Sequence, residues 1–445
     1  MSNRTITTNF LWRFLERCGS QGVSLIVSVL LARILEPEVY GIIAIVTVFT
    51  TILQVFVDSG MGNALIQKMN ADDLDFSTVF YFNFAVCIVL YFCVFFLAPF
   101  ISQFYEMPDL VGPLRVLGLT LIVSGVRNIQ QAYVSRQMIF KRFFFATLGG
   151  TISGAIIGIL MAYSGYGVWA LVFQQLFKDV IGTVILWLTV KWRPKRIFSI
   201  QRLKGLFSFG WKLLVSSLID TVYRDIRQLI IGKMYSSSDL AYYNQGEKYT
   251  QVLVNNINNS IDSVLLPSMS KEQDNIERVK TMTRRSIKVS TYLMAPLMIG
   301  MACCSREIVL VILTDKWLPC VPYMIIFCIT YMFYPIHTAN LNAIKALGRS
   351  DLFLKLEIVK KVVGIILLIL SMQFGVMVIA GSLLISCFIS QIINSWPNKK
   401  LLNYSYFEQI KDILPNIGLA CVMGVCVLLM LSLAVMISLC HADMR

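Results

Sequence analysis

Long apolar runs return along the whole chain, and short polar connections separate them. Each run is close to the roughly 20 residues that a helix needs to cross a bilayer. No connection exceeds about 25 residues, which leaves no room for a soluble catalytic domain. The pattern predicts thirteen spans, with approximate bounds 10–35, 40–61, 77–100, 112–131, 143–164, 167–190, 211–235, 241–265, 288–304, 321–341, 356–372, 376–393 and 415–440.

The start of the first span is echoed roughly 200 residues later, as expected of an internal repeat. Phe10–Arg13 opens span one, and Phe209–Lys212 opens span seven with the same spacing of aromatic and basic residues. Leu31–Ile34 matches Ile231–Met234 at nearly the same offset. The echo indicates a duplication with six spans in each copy.

The duplication predicts an all-α polytopic membrane protein with two six-helix lobes around a central cavity. The lobes would cover residues 1–190 and 211–395, with a basic cytoplasmic linker at 191–210 between them. A cytoplasmic loop and an additional span would follow at 396–445. Because six spans return the chain to its starting side, we expect parallel repeats, an arrangement found in transporters.

The composition agrees with a membrane protein and changes the meaning of the net charge. The chain is 57% hydrophobic and 14% charged, whereas soluble proteins average about 25% charged residues. The net charge of +14 could suggest a nucleic-acid partner. However, Lys and Arg concentrate in alternate connections, which is the positive-inside pattern of a protein with a cytoplasmic N-terminus. We therefore expect no nucleic-acid partner. The eleven cysteines show no metal-ligand spacing, and we expect neither a metal nor a cofactor.

Span seven carries polar residues at a depth where a lipid-facing helix should be apolar. Ser216, Asp220, Arg224 and Arg227 are spaced four, four and three residues apart, so they share one helix face. Each charge near mid-span costs about 2.5–3.5 kcal/mol, which a wet cavity, an ion pair or a ligand must offset. Asp220 and Arg224 could form a structural salt bridge. Arg227 would still need a partner or a ligand.

Span eight contains a polar stripe along most of its length. The stripe consists of Lys248, Gln251, Asn255, Asn259 and Asp262. Amide packing between helices would explain one or two of the asparagines. The whole stripe is better explained by a water-filled cavity.

Spans one and ten each add one candidate residue. Arg13 is near enough to the membrane surface to reach the headgroups, whereas Arg17 lies one turn deeper and is the better cavity candidate. His337 in span ten is a candidate for proton coupling, although a lone histidine is usually structural.

The candidate cavity residues are mostly basic. Arg17, Arg224, Arg227 and Lys248 stand against Asp220 and Asp262. Because a guanidinium binds phosphate through two parallel hydrogen bonds, this balance favours an anionic, phosphate-bearing cargo over a cationic drug.

Four motifs together resemble the polysaccharide transporter branch of the multidrug/oligosaccharidyl-lipid/polysaccharide (MOP) exporter superfamily. They are Leu31–Gly41, Asp58–Lys68, Lys316–Pro319 and Asn342–Asp351. The resemblance covers approximately residues 5–400. Members of this superfamily usually have fourteen spans, one more than the hydropathy pattern predicts here.

The resemblance implies a Wzx-type flippase of the bacterial cytoplasmic membrane. Such proteins move an undecaprenyl-pyrophosphate-linked oligosaccharide to the outer leaflet by alternating access, for O-antigen, capsule or exopolysaccharide assembly. The implied partners are this lipid-linked oligosaccharide, membrane lipids, and a polysaccharide polymerase with its chain-length regulator. Related lipid II flippases hold pyrophosphate with arginines from the first span of each lobe. By position, Arg17 and either Arg224 or Arg227 would be the counterparts.

Two other functions remain as alternatives. A cation-coupled small-molecule exporter would need a dominant acidic site. The candidate residues for such a site are Asp58, Asp220 and Asp262. A polysaccharide polymerase or ligase would need a sizeable external catalytic loop. The predicted external connections are too short for one, and we therefore expect a transporter rather than an enzyme.

Overall fold

A computed structural model shows a chain that is helical along most of its length. It describes the backbone of residues 3–58, 61–67 and 71–443; the side chains at 3–11, 13, 14, 17, 63, 64, 67, 209 and 434–443 lie outside the described residues. The helices are α1 (Asn3–Ile34), α2 (Pro37–Asp58), α3 (Met61–Gln67), α4 (Asp73–Tyr105), α5 (Val111–Gln137), α6 (Phe140–Tyr163), α7 (Val168–Thr189), α8 (Ile200–Met234), α9 (Ser237–Lys271), α10 (Ile276–Cys303), α11 (Ser305–Ile312), α12 (Val321–Tyr331), α13 (Tyr334–Ala346), α14 (Ser350–Ser371), α15 (Val376–Leu401) and α16 (Tyr406–Asp443). Short 3-10 turns at Pro108–Leu110 and Asp315–Cys320 lead into α5 and α12.

Nine helical stretches of the described residues are long and apolar enough to cross a membrane. They comprise α2, α4, α5, α6, α7, α10, the α12–α13 pair, α15 and α16. The four other helices at predicted spans are α1, α8, α9 and α14, and all four carry charges within the predicted span. The protein is therefore an all-α, multi-pass membrane protein, and three of these four charged helices, α1, α8 and α9, are ones whose polar residues the sequence singled out.

The chain divides into two compact units, Met1–Ala241 and Tyr242–Arg445. Helix α9 begins in the first unit and continues into the second. In the first unit, α8 packs against α2, α3 and α4, and α6 packs along α7. The division into repeat-related lobes at residues 191–210 stays a prediction.

A row of glycines brings α6 and α7 unusually close together. A Cβ atom on Gly150 would lie 2.4 Å from the backbone oxygen of Lys178, and one on Gly154 would lie 2.5 Å from that of Gln174. Only glycine permits this approach, as in other membrane helix pairs with small residues at the contact. This close contact sets the position of α7 against α6, and Asp179 extends from α7 to α5.

Residues 190–199 form the longest stretch outside helices in the described part of the chain. We call this segment the strap, because it is fastened to the start of α4. The backbone N–H of Lys195 donates to Ser77 Oγ at 3.0 Å, and that of Ser199 donates to Thr78 Oγ1 at 3.1 Å. Most of the strap lies within the predicted linker, and it ends where α8 begins.

The second unit holds a network of buried amides. Asn398 Nδ2 donates to Asn340 Oδ1 at 2.7 Å, and Asn340 Nδ2 donates to Gln409 Oε1 at 2.9 Å. All three side chains are fully buried. The network joins α13, α15 and α16, because a buried polar group needs a hydrogen-bond partner to offset its lost hydration.

Candidate functional site

A polar cavity of about 310 Å³ opens within the first unit. Its walls come from α2, α5, α7 and α8, and Val55 is the one apolar residue among those that line it. The polar lining consists of Thr50, Thr51, Gln54, Asp58, Thr120, Ser124, Arg127, Gln175, Asp179, Thr221 and Arg224. A lining of this kind inside a membrane-embedded bundle holds water or a polar ligand, because lipid-exposed charges are costly.

An ion pair crosses this cavity from α5 to α7. Arg127 Nη1 lies 2.7 Å from Asp179 Oδ1, and the two side chains are 24% and 18% exposed. These residues are 52 positions apart, and no sequence pattern connects them. Their charges lie inside predicted spans, and this was the one available signal.

Arg224, a predicted site residue, lines the cavity, but its ion-pair partner is not the predicted one. Its Nε lies 3.4 Å from Asp225 Oδ1. The possible salt bridge between Asp220 and Arg224 is therefore wrong, because the flexible Arg224 side chain turns to the adjacent carboxylate. Asp220 is exposed on the same helix.

Arg227 differs from Arg224 in its burial. The residue is 4% exposed, whereas the Arg224 side chain is 64% exposed. Arg227 Nε and Nη2 are buried without a hydrogen-bond partner among the described residues. Its guanidinium carbon lies 5.8 Å from the centre of the Tyr223 ring, a distance typical of a weak cation–π contact.

Polar bonds in the second unit tie α9 to α13. Asp262 Oδ1 accepts from Asn342 Nδ2 at 2.9 Å, and Asn258 Oδ1 accepts from Thr338 Oγ1 at 2.7 Å. Of the other predicted residues of the stripe, Lys248, Asn255 and Asn259 are exposed, whereas Gln251 is half-buried and donates to Glu247 Oε1 at 2.7 Å. Part of the predicted stripe therefore holds helices together, and part of it is accessible.

The ring of His337 is bonded on both sides within the second unit. Its Nε2 lies 3.3 Å from Cys387 Sγ, and its Nδ1 lies 3.1 Å from Asn394 Nδ2. Because an amide nitrogen can only donate, Nδ1 is the acceptor and Nε2 carries the proton. This arrangement suits a structural histidine, and a role in proton coupling stays a prediction.

Arg17 lies on α1, but its side chain is outside the described residues. Its place in a cavity stays a prediction.

Other charged residues within the helices escaped the sequence reasoning. On α14, Lys360 Nζ lies 2.5 Å from Glu357 Oε1, with side-chain exposures of 14% and 28%. On α9, Glu247 Oε1 accepts hydrogen bonds from Tyr331 and from Gln251. Among the described residues, no group of three or more His, Cys, Asp or Glu side chains could hold a metal ion.

Residues 30–322 match a protein-family model described as "Polysaccharide biosynthesis protein". The succinoglycan biosynthesis transport protein ExoT of Rhizobium meliloti (strain 1021) is 23% identical over 314 residues, which are 71% of this chain and 64% of ExoT. The chain thus spans less than two thirds of the length of that relative.

Two solved structures share the fold. The lipid II flippase MurJ, in an inward closed conformation, matches with a TM-score of 0.74 and 14% identity over 98% of this chain and 99% of its own. An inward-facing MATE family multidrug transporter of the MOP superfamily matches with a TM-score of 0.67 and 12% identity, over 87% and 96% respectively. At these identities the likeness shows the fold alone, and it confirms the predicted fold class.

The family match covers more than half of the chain. It agrees with the resemblance found in the four sequence motifs, which is thereby confirmed. The chain belongs to the polysaccharide biosynthesis protein family, and its fold is that of the MOP superfamily.

Proposed function

We propose that this protein is a flippase that moves an undecaprenyl-pyrophosphate-linked oligosaccharide across the bacterial cytoplasmic membrane, for surface polysaccharide assembly. The family match, the transport role in the name of ExoT and the fold shared with a lipid II flippase support the proposal. The mechanism would be alternating access between two parallel lobes. In the proposed orientation the N-terminus is cytoplasmic, in agreement with the distribution of Lys and Arg.

The buried guanidinium of Arg227 is the observation that carries this proposal. A charge at mid-membrane costs about 2.5–3.5 kcal/mol, and each buried N–H without a partner adds about 1–3 kcal/mol. Nε and Nη2 of Arg227 both lack a partner among the described residues. A pyrophosphate would supply paired acceptor oxygens for these two nitrogens. In the proposed cycle Arg227 meets the pyrophosphate in a conformation that exposes it, together with Arg224 and Arg17.

We propose transport rather than catalysis. The longest described segment outside the helices is the strap, residues 190–199, which is too short to fold into a catalytic domain. The products would be consumed by a polysaccharide polymerase with its chain-length regulator, which are the proposed partners beside membrane lipids.

Deletion of the gene, with complementation by variants, tests this function. We expect the deletion strain to accumulate lipid-linked repeat units in the inner leaflet and to lose surface polysaccharide. Arg227→Ala should fail to restore the polysaccharide, whereas Arg227→Lys should restore part of it because it keeps the charge. Lys204→Ala, which changes an exposed cation on the same helix, is the matched control and should complement fully.

The outcomes separate the proposal from its alternatives. Unchanged surface glycan in a deletion strain without a paralogue would contradict a flippase. Altered sensitivity to cationic drugs in that strain would support a small-molecule exporter instead. Full activity of Arg227→Ala would show that the charges of α8 are structural.

A further inference from the structure

We propose that the strap binds the headgroup of an anionic phospholipid, such as phosphatidylglycerol, at the surface of the membrane. None of the residues that line the polar cavity belongs to the strap, and Arg227 lies near the other end of α8. The proposal rests on the proposed function only for the orientation that makes this surface cytoplasmic.

The strap lies at the ends of two helices that are able to cross the membrane. It begins directly after α7, which ends at Thr189, and it is bonded to the start of α4 through Ser77 and Thr78. Both helices are among the stretches that are long and apolar enough to span a bilayer. Because the ends of spanning helices lie in the headgroup region, the strap is placed at the depth of the lipid phosphates.

Exposed apolar side chains stand at the end of the strap and at the first residue of α8. They are Ile197, Phe198 and Ile200, and Ile200 is the most exposed at 63%. Apolar surface in water is unfavourable, and a group of exposed apolar side chains marks a contact with a partner or with a membrane. At the depth of the headgroups, these side chains can insert between the upper acyl carbons.

The acidic groups close to the strap are already engaged with cations. Lys195 Nζ lies 2.6 Å from Asp73 Oδ2. Arg202 lies 3.5 Å from Asp72 and 3.6 Å from Asp75. These three carboxylates at the start of α4 therefore fasten the strap and the first turn of α8 to that helix.

Two other cations of the strap have no such role. Lys191 and Arg196 are exposed, and neither forms an ion pair with any described residue. Residues 190–202 contain five cations and no acidic residue, so the cations outnumber the three carboxylates of α4. A guanidinium binds a phosphate through parallel hydrogen bonds, and an ammonium binds it as a point charge. The strap thus offers two unpaired cations to an anion.

The combination of these features favours a lipid over a free anion. An anionic phospholipid carries its charged phosphate directly above its acyl chains, and it can meet the cations and the apolar side chains of the strap together. A free phosphate ion would satisfy Lys191 and Arg196 but would leave Ile197, Phe198 and Ile200 in water.

Native mass spectrometry of the purified full-length protein, titrated with phosphatidylglycerol and without cargo, tests this surface. The strap variant Lys191→Gln/Arg196→Gln is compared with wild type and with Lys399→Gln/Lys400→Gln, which removes the same charge from exposed positions on α15. The strap variant should bind the first phosphatidylglycerol at least about tenfold more weakly than wild type, because each cation near an anionic lipid adds to the attraction. The control variant should bind it as wild type does.

Three further measurements identify what the surface recognises. Lys191→Arg/Arg196→Lys keeps both charges and should keep the affinity. Phosphatidylethanolamine, which has no net charge, should bind equally to wild type and to the strap variant. Ile197→Ser/Phe198→Ser should weaken the binding of phosphatidylglycerol as well, because it removes the contact with the acyl chains.

Equal affinities of wild type and the strap variant for phosphatidylglycerol would overturn the proposal. Release of the bound lipid by millimolar inorganic phosphate would overturn it too, because the two cations would then bind a free anion. The thermal unfolding midpoint of the strap variant, measured in parallel, should equal that of wild type, so that a loss of lipid binding is not a loss of the fold. Because the titration contains no cargo, failure of the flippase function in the deletion strain leaves its outcome unchanged.

Discussion

The Arg127–Asp179 pair is expected to stabilise the first unit through its charges rather than through its packing. At 2.7 Å, two unit charges attract by about 6 kcal/mol at an effective dielectric constant of about 20. Much of this is offset by the loss of hydration, so the loss of one partner, which leaves the other charge uncompensated, is the informative perturbation. Such a loss costs about 3–5 kcal/mol for a buried pair. We expect about 3 kcal/mol here, because both side chains keep some contact with solvent.

A double-mutant cycle measures this effect. Arg127→Gln and Asp179→Asn should each lower the free energy of unfolding by about 3 kcal/mol, and the double variant should lose no more than either, a coupling of about 3 kcal/mol. The assay is denaturant-induced unfolding in mixed micelles, followed by circular dichroism. Arg306→Gln, at an exposed position, is the control and should cost less than about 0.5 kcal/mol. If the double variant loses the sum of the two single losses, the residues do not act as a pair and the reasoning is refuted.

Two further predictions concern the connections between helices. Lys233 Nζ donates to Glu106 Oε1 at 2.7 Å, and this bond holds the pKa of Glu106 below its ordinary value of 4.5. Because the pKa of Glu106 is lowered in the folded protein, the contact contributes stability above pH 4.5 that is lost as the pH falls further. Glu106→Gln should therefore remove this pH dependence from the thermal unfolding midpoint. An unaltered pH dependence in this variant would count against the contact. A Cβ atom on Gly41 would lie 2.0 Å from the backbone oxygen of Ser237, so Gly41→Ala should lower the free energy of unfolding by about 1–3 kcal/mol. Gly205→Ala, where nothing lies within 4 Å, should not be destabilising, and equal effects of the two changes would refute the steric argument.

Helix positions and polar faces could be predicted from the sequence, because both depend on local periodicity. The predicted span at 211–235 coincides with the second part of α8, which ends one residue earlier at Met234, and its charges have the predicted order along one helix. The sequence could not identify which helix would lie opposite, so the Arg127–Asp179 pair was missed. Side-chain direction was the second limit: Arg224 turns to the adjacent Asp225, although helical spacing favours the carboxylate four residues away, Asp220.

The helical spacing of polar residues also could not predict which of them would be buried. Arg224 and Arg227 are three positions apart and belong to the same predicted face, yet one is mostly exposed and the other is 4% exposed. Helical periodicity gives a direction around the axis, and the neighbours in that direction decide whether a side chain meets water or protein. The α14 pair of Glu357 and Lys360 was overlooked for a different reason. Its two charges cancel within one turn and leave no net signal along the span.

The strap sets a limit on how far the beginning of α8 can travel. The backbone N–H groups of Lys195 and Ser199 anchor the strap on α4, and the side chains of Trp192 and Lys195 contact Asp73 at the start of the same helix. The four residues from Lys195 to Ser199 extend to at most about 14 Å. If the bond at Ser199 broke and the contacts at Lys195 held, Ser199, which precedes the first turn of α8, could still move no farther than this from Lys195. The strap therefore limits how far the first turn of α8 can move away from the start of α4. Glycines inserted into the strap would allow the first turn of α8 to move farther from α4 than it can in the natural chain.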